Sequence, residues 1–100
     1  MFGRSRGDTH AGEIPLHQTF PDLTDDAFEL ARFWVNTERS FVAVGRPKEW
    51  QPELLGSLLV ESLHTAAVAY AQQTGMGEEE ALSRLWRGVD EGRERLNNGN

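Results

Sequence analysis

Residues 29–44, "ELARFWVNTERSFVAV", constrain the fold more than any other stretch of this chain. Two runs rich in aromatic and β-branched residues, one containing Phe33, Trp34 and Val35 and the other Phe41, Val42 and Val44, flank the polar Asn36-Thr37-Glu38-Arg39. That pattern predicts an antiparallel hairpin with a pleated, half-buried surface. A helix competes for the first run: Thr24 could cap it, Asp25 and Asp26 suit its first turn, and Ala27, Leu30, Ala31 and Trp34 fall at helical spacing. The second run has no helical alternative, and a strand needs a neighbour. The hairpin is therefore expected, entered through one helical turn at residues 24–28. With Val35 opposite Phe41, one face carries Ala31, Phe33, Val35, Phe41 and Ala43, and the other carries Leu30, Arg32, Trp34, Val42 and Val44. Both faces are largely apolar. A two-stranded ribbon is marginal alone in water, so helices, a third segment or another subunit must cover it.

The flanking sequence supplies candidates. Residues 1–12, "MFGRSRGDTHAG", are polar and aperiodic and are expected to form a disordered arm. "EIPLHQTFPDL" places Ile14, Leu16 and Phe20 at even spacings around two prolines, which predicts an extended segment lying on the domain, alongside the hairpin, rather than a central strand. After it, "GRPKEWQP" is punctuation, with Trp50 as a packing anchor and Pro52 as the first residue of a long helix. That helix is expected over 52–73 with Gly75 stopping it, and a second over 78–96, opening on three glutamates suited to the positive end of its dipole. Residues 98–100 are expected to fray, leaving 13–97 as a single α+β domain: an antiparallel hairpin packed on two antiparallel helices.

On the second helix, Leu82, Leu85, Trp86, Val89 and Leu96 make one stripe, opposite Glu80, Arg84, Arg87, Glu91 and Glu94. Gly88 and Gly92 stand beside that stripe, each costing roughly 1 kcal/mol against alanine. Close approach of another backbone would offset this cost. The Ala66–Ala71 stretch, the hairpin or a second copy could provide it. On the first helix Leu55, Leu58, Leu59, Ser62, Leu63, Ala66, Ala69 and Tyr70 are expected to face inward, with Glu53, Ser57, Glu61 and His64 outward.

Composition narrows function. The chain has no cysteine, which excludes disulfides, zinc–thiolate sites and thiol catalysis and fits a reducing cytoplasm. Sixteen acids against ten bases give a net charge of −6, unfavourable for nucleic acid or anionic membrane. Arg4 and Arg6 are not followed by an apolar run, so no secretory signal is expected, and no stretch is expected to approach the roughly 20 apolar residues of a membrane helix.

Glu61 and His64 form a Glu-x-x-His of the type that four-helix proteins use for paired metals, but such sites need a second motif and two further inward glutamates. His64 as a base would need a nucleophile nearer than Ser57, two turns or roughly 10 Å away. His10 and His17 match no structural zinc spacing. No phosphate loop, nucleophile elbow or dinucleotide fingerprint occurs. No cofactor or catalytic residue is assigned.

"DAFELARFWV", "FVAV", "RPKEWQPELLGSLLVE" and "AVAYA", over about residues 25–73, resemble a family of small bacterial proteins catalogued as a domain of unknown function. The resemblance implies an α+β fold and supplies no activity. The expected function is a non-enzymatic interaction module of the bacterial cytoplasm, binding a protein partner or itself. Its candidate interface is Arg32, Trp34, Val42 and Val44 on the hairpin with Gly88 and Gly92 on the last helix. The alternatives are a small-ligand pocket between hairpin and helices, and a metal or acid–base site at Glu61 and His64.

Overall fold

The computed structural model describes residues 10–98. Its order is a single helical turn α1 (Leu16–Thr19), strands β1 (Ala31–Val35) and β2 (Ser40–Val44), and the long helices α2 (Pro52–Thr74) and α3 (Glu78–Asn97). The α+β class, the antiparallel hairpin and the two packed helices are as expected. The arm expected over 1–12 falls mostly outside the described residues, as do two of the three tail residues.

The hairpin closes one residue earlier than expected. Val35 lies opposite Ser40 and Trp34 opposite Phe41, not Val35 opposite Phe41. Asn36 is the cause: its side-chain Oδ1 accepts the amides of Glu38 at 2.8 Å and Arg39 at 2.9 Å, while its own N–H donates to the Arg39 carbonyl at 3.0 Å. This side-chain turn stands in for the glycine that tight hairpins prefer. A slip of one residue moves all of β2's side chains to the other face. One face now carries Ala31, Phe33, Val35, Ser40, Val42 and Val44, and the other Leu30, Arg32, Trp34, Phe41 and Ala43.

The N-terminal segment is not a third strand: the sheet has two strands, and α1 interrupts the expected extended run. The helical turn expected at 24–28 is reduced to one hydrogen bond, from the Ala27 N–H to the Thr24 carbonyl at 3.1 Å.

Gly45 and Arg46 make the corner after β2. The Gly45 N–H donates to the Leu30 carbonyl at 2.8 Å, and a Cβ on Gly45 would sit 2.6 Å from the Glu29 carbonyl oxygen. Arg46 adopts a left-handed φ of 52°, which disfavours a side chain. Its guanidinium lies 4.2 Å over the Phe28 ring and 3.6 Å from Glu49, and Phe28 in turn meets Trp50 at 5.5 Å. These contacts hold the corner against the backbone cost.

α2 begins with Pro52 and ends at Gly75, whose φ of 79° is the left-handed cap the sequence predicts. The connection to α3 is short, and the helices pack back to back at two small residues, Ala67 and Ala81. The stripe of α2 protected along its C-terminal half, Leu63, Ala66, Ala67 and Ala71, is turned from the expected arc by about one residue, roughly 100°. Tyr70, Leu58 and Leu59 are consequently exposed. Trp86, expected in the core, is 39% exposed, and Leu96 is 70% exposed. Among the described residues, none comes within 4 Å of a Cβ built at Gly88 and only the Arg95 guanidinium does so at Gly92, so packing among them does not offset these glycines.

One helix bears on the expectation that no stretch reaches the length of a membrane helix. By length and composition alone, an 18-residue window of α2 with a mean hydropathy of 1.3 is apolar enough to cross a bilayer.

Hairpin and helix pair each pair within themselves, but no strand comes within 8 Å, Cα to Cα, of either long helix. Among the described residues only Ala67 and Ala81 are buried. Gly45→Ala should lower stability by about 1–3 kcal/mol, the usual cost of forcing a methyl into filled space, as measured by chemical denaturation.

Candidate interaction surface

Hydrogen-bond parity decides what the hairpin offers to a partner. In an antiparallel pair, directly opposed residues alternate between those that exchange both backbone bonds and those that exchange none. Asn36 bonds Arg39, and Gly45 bonds Leu30, so the bonded residues of the first run are 30, 32, 34 and 36. The N–H and C=O groups of Ala31, Phe33 and Val35 therefore point away from β2, along an open edge. Among the described residues, no backbone hydrogen bond joins the N-terminal segment to them.

The two faces differ sharply. On the Arg32 and Trp34 face, the His10 ring meets Trp34 edge-on at 4.9 Å. Arg32 binds Glu29 through two hydrogen bonds, Nε to Oε2 at 2.8 Å and Nη2 to Oε1 at 2.5 Å, and lies 3.8 Å from Glu13. The N-terminal segment thus partly covers this face. The opposite face is open: Phe33 is 59%, Val35 79%, Val42 63% and Val44 47% exposed. Among the expected interface residues, Arg32 and Trp34 stay together, while Val42 and Val44 lie across the sheet from them, and Gly88 and Gly92 are on α3, away from the hairpin. Phe33 and Val35 were missed because the expected register put them beside Phe41 and Ala43. The turn-forming Asn36 was the available signal.

Between the N-terminal segment and β1 lies an open hollow of about 730 Å³. All five residues of β1 line it, opposite Ile14, Leu16, Phe20 and Leu23. Side chains alternate between faces along a strand, so contiguous lining places the hollow along the strand's edge. The hollow is not where a ligand pocket was expected, between hairpin and helices.

Glu61 and His64 are both exposed on α2, and neither makes a hydrogen bond or ion pair with another described residue. Among the described residues no three His, Cys, Asp or Glu side chains gather to hold a metal. The charged cluster with a distinct electrostatic character is Glu29–Arg32: hydrogen bonding from the guanidinium, with its positive charge, holds the Glu29 carboxyl below its ordinary value, and slight burial opposes the effect.

Comparison with known proteins agrees with the resemblance and extends it. The family model described as "Domain of unknown function (DUF5076)" matches residues 20–95, and the chain belongs to that family. No curated protein matches the sequence. A solved structure from the photosynthetic bacterium Rhodopseudomonas palustrus CGA009, provisionally named a pyruvate dehydrogenase, is similar at 30% identity with a TM-score of 0.62. The match covers 92% of this chain and 93% of that one.

A lowered carboxyl pKa in the folded state stabilises the fold above the unfolded pKa, and that contribution is lost as pH falls through the folded value. Arg32→Gln should return Glu29 to the ordinary carboxylate range, read by NMR titration of its side-chain carboxyl. The mutant's stability should then depend less on pH below about 4.5 than the parent's.

Proposed function

We propose that this member of the DUF5076 family is a non-catalytic protein-interaction module of the bacterial cytoplasm that works as a homodimer. One observation carries it: the described residues bury only Ala67 and Ala81, while apolar side chains on the hairpin and both helices face outward. Apolar surface left bare in this way is what obligate dimers cover, and their interfaces resemble a core cut in half.

The apolar α2 supports a protein partner over a bilayer. α3 packs along it and carries Arg84, Arg87, Arg93 and Arg95 with three glutamates in its first turn. A membrane that received α2 would have to receive those charges beside it. The name of the Rhodopseudomonas protein points to 2-oxo-acid chemistry. No converging set of acids and bases among the described residues supports carrying that activity over.

Sedimentation equilibrium should give twice the chain mass over a wide concentration range, with a melting temperature that rises with concentration. Each copy carries −6, so added salt should tighten the dimer. A monomer at every concentration would sink the proposal. The hollow beside β1 favours a second reading, a site for a small apolar ligand. It predicts a thermal shift with small apolar acids or aromatics that Phe20→Ala abolishes; no shift across such a set counts against it.

A further inference from the structure

We infer that the second copy docks along the open edge of β1. The two β1 strands pair antiparallel about a two-fold axis at Phe33, giving one four-stranded sheet in the order β2–β1–β1–β2. This deepens the homodimer reading and rests on it.

The outward groups of Ala31, Phe33 and Val35 are spaced to bond a second strand of the same parity. Antiparallel pairing of identical strands is self-complementary, as a two-fold interface requires. With Phe33 on the axis, all five residues pair. Phe33 meets Phe33 of the second copy, Ala31 meets Val35, and Arg32 lies opposite Trp34. The three opposed outward pairs exchange about six backbone hydrogen bonds. Shifting the axis by one residue, to Arg32 or Trp34, leaves fewer residues paired.

β1 is favoured over the equally unpaired edge of β2. The hollow runs along β1, and none of its lining comes from β2. Its opposite wall is apolar, with Ile14, Leu16, Phe20 and Leu23, and shelters new hydrogen bonds from water. Neither edge carries the lysine or proline that monomeric sheets use to repel strands: β1 is Ala-Arg-Phe-Trp-Val and β2 Ser-Phe-Val-Ala-Val. Pairing also extends the open face into a continuous one, with Phe33, Val35, Val42 and Val44 repeated across the axis.

The test uses the full chain. Proline at residue 35 removes an outward N–H and leaves the bonds to β2 in place. Val35→Pro should therefore abolish the dimer in sedimentation, whereas Val35→Ala and Val42→Pro should keep it. Persistence of the protected Gly45 amide in Val35→Pro shows that its hairpin is intact. The chain has no cysteine, so single cysteines report position. At the axis the paired Cα atoms lie about 5.5 Å apart, within disulfide reach. Phe33→Cys should form a linked dimer on mild oxidation, and Val42→Cys should not. A dimer that survives Val35→Pro, or crosslinks through residue 42 instead of 33, overturns the β1 pairing while leaving the homodimer standing. A monomeric parent chain overturns both.

Discussion

The structure depends on where one turn closes. Asn36 caps two amides with its side chain and fixes the register of the hairpin, and the register decides which side chains share a face and which backbone groups point outward. Were the turn one residue longer, Phe41 and Ala43 would join Phe33 and Val35, and the N-terminal segment would approach Val42 and Val44. As built, the N-terminal segment lies against Trp34 and Arg32, and the opposite face is left with Phe33, Val35, Val42 and Val44 in solvent.

That arrangement leaves each half of the chain dependent on something outside itself. The hairpin is tied to the long helices through the corner where Arg46, Phe28 and Trp50 stack, and no strand reaches either helix beyond it. A left-handed arginine costs of order 1–2 kcal/mol, so the corner has to be held by its contacts. With the elements on either side of the corner apart, the hairpin and the helix pair each present an apolar surface. This geometry suits an oligomer, in which a neighbour covers what the chain leaves bare.

Much of the fold was legible in particular residues. Pro52 and Gly75 bound α2, Gly45 ended β2 under a close backbone approach, and Glu78, Glu79 and Glu80 opened α3. These residues act through their own backbone geometry or through the helix dipole, so local sequence suffices. The register and the helix faces were not legible in the same way. A three-residue loop and a two-residue loop differ by one side-chain cap, and both leave apolar residues on both faces. On α2 the leucines, valines and alanines surround the helix, so periodicity gives no single inner stripe. The interface candidates were split for the same reason: Arg32 and Trp34 were grouped with Val42 and Val44 only through the assumed register.

The glycines of α3 bear on the same question from the other end of the chain. Gly88 costs the helix roughly 1 kcal/mol relative to alanine, and no described residue comes near enough to need its missing side chain. Ala67 and Ala81 already provide the close approach between α2 and α3, so the helix pair does not require it. A second copy remains from the set of backbones that could lie against it. The β1 pairing leaves room for that contact, because a two-fold axis at Phe33 engages the hairpins and does not consume the helix surfaces. One dimer could then use both patches, or the helical patch could serve a further partner, and the glycine separates these by size: a side chain at residue 88 weakens the association only where another backbone rests on it.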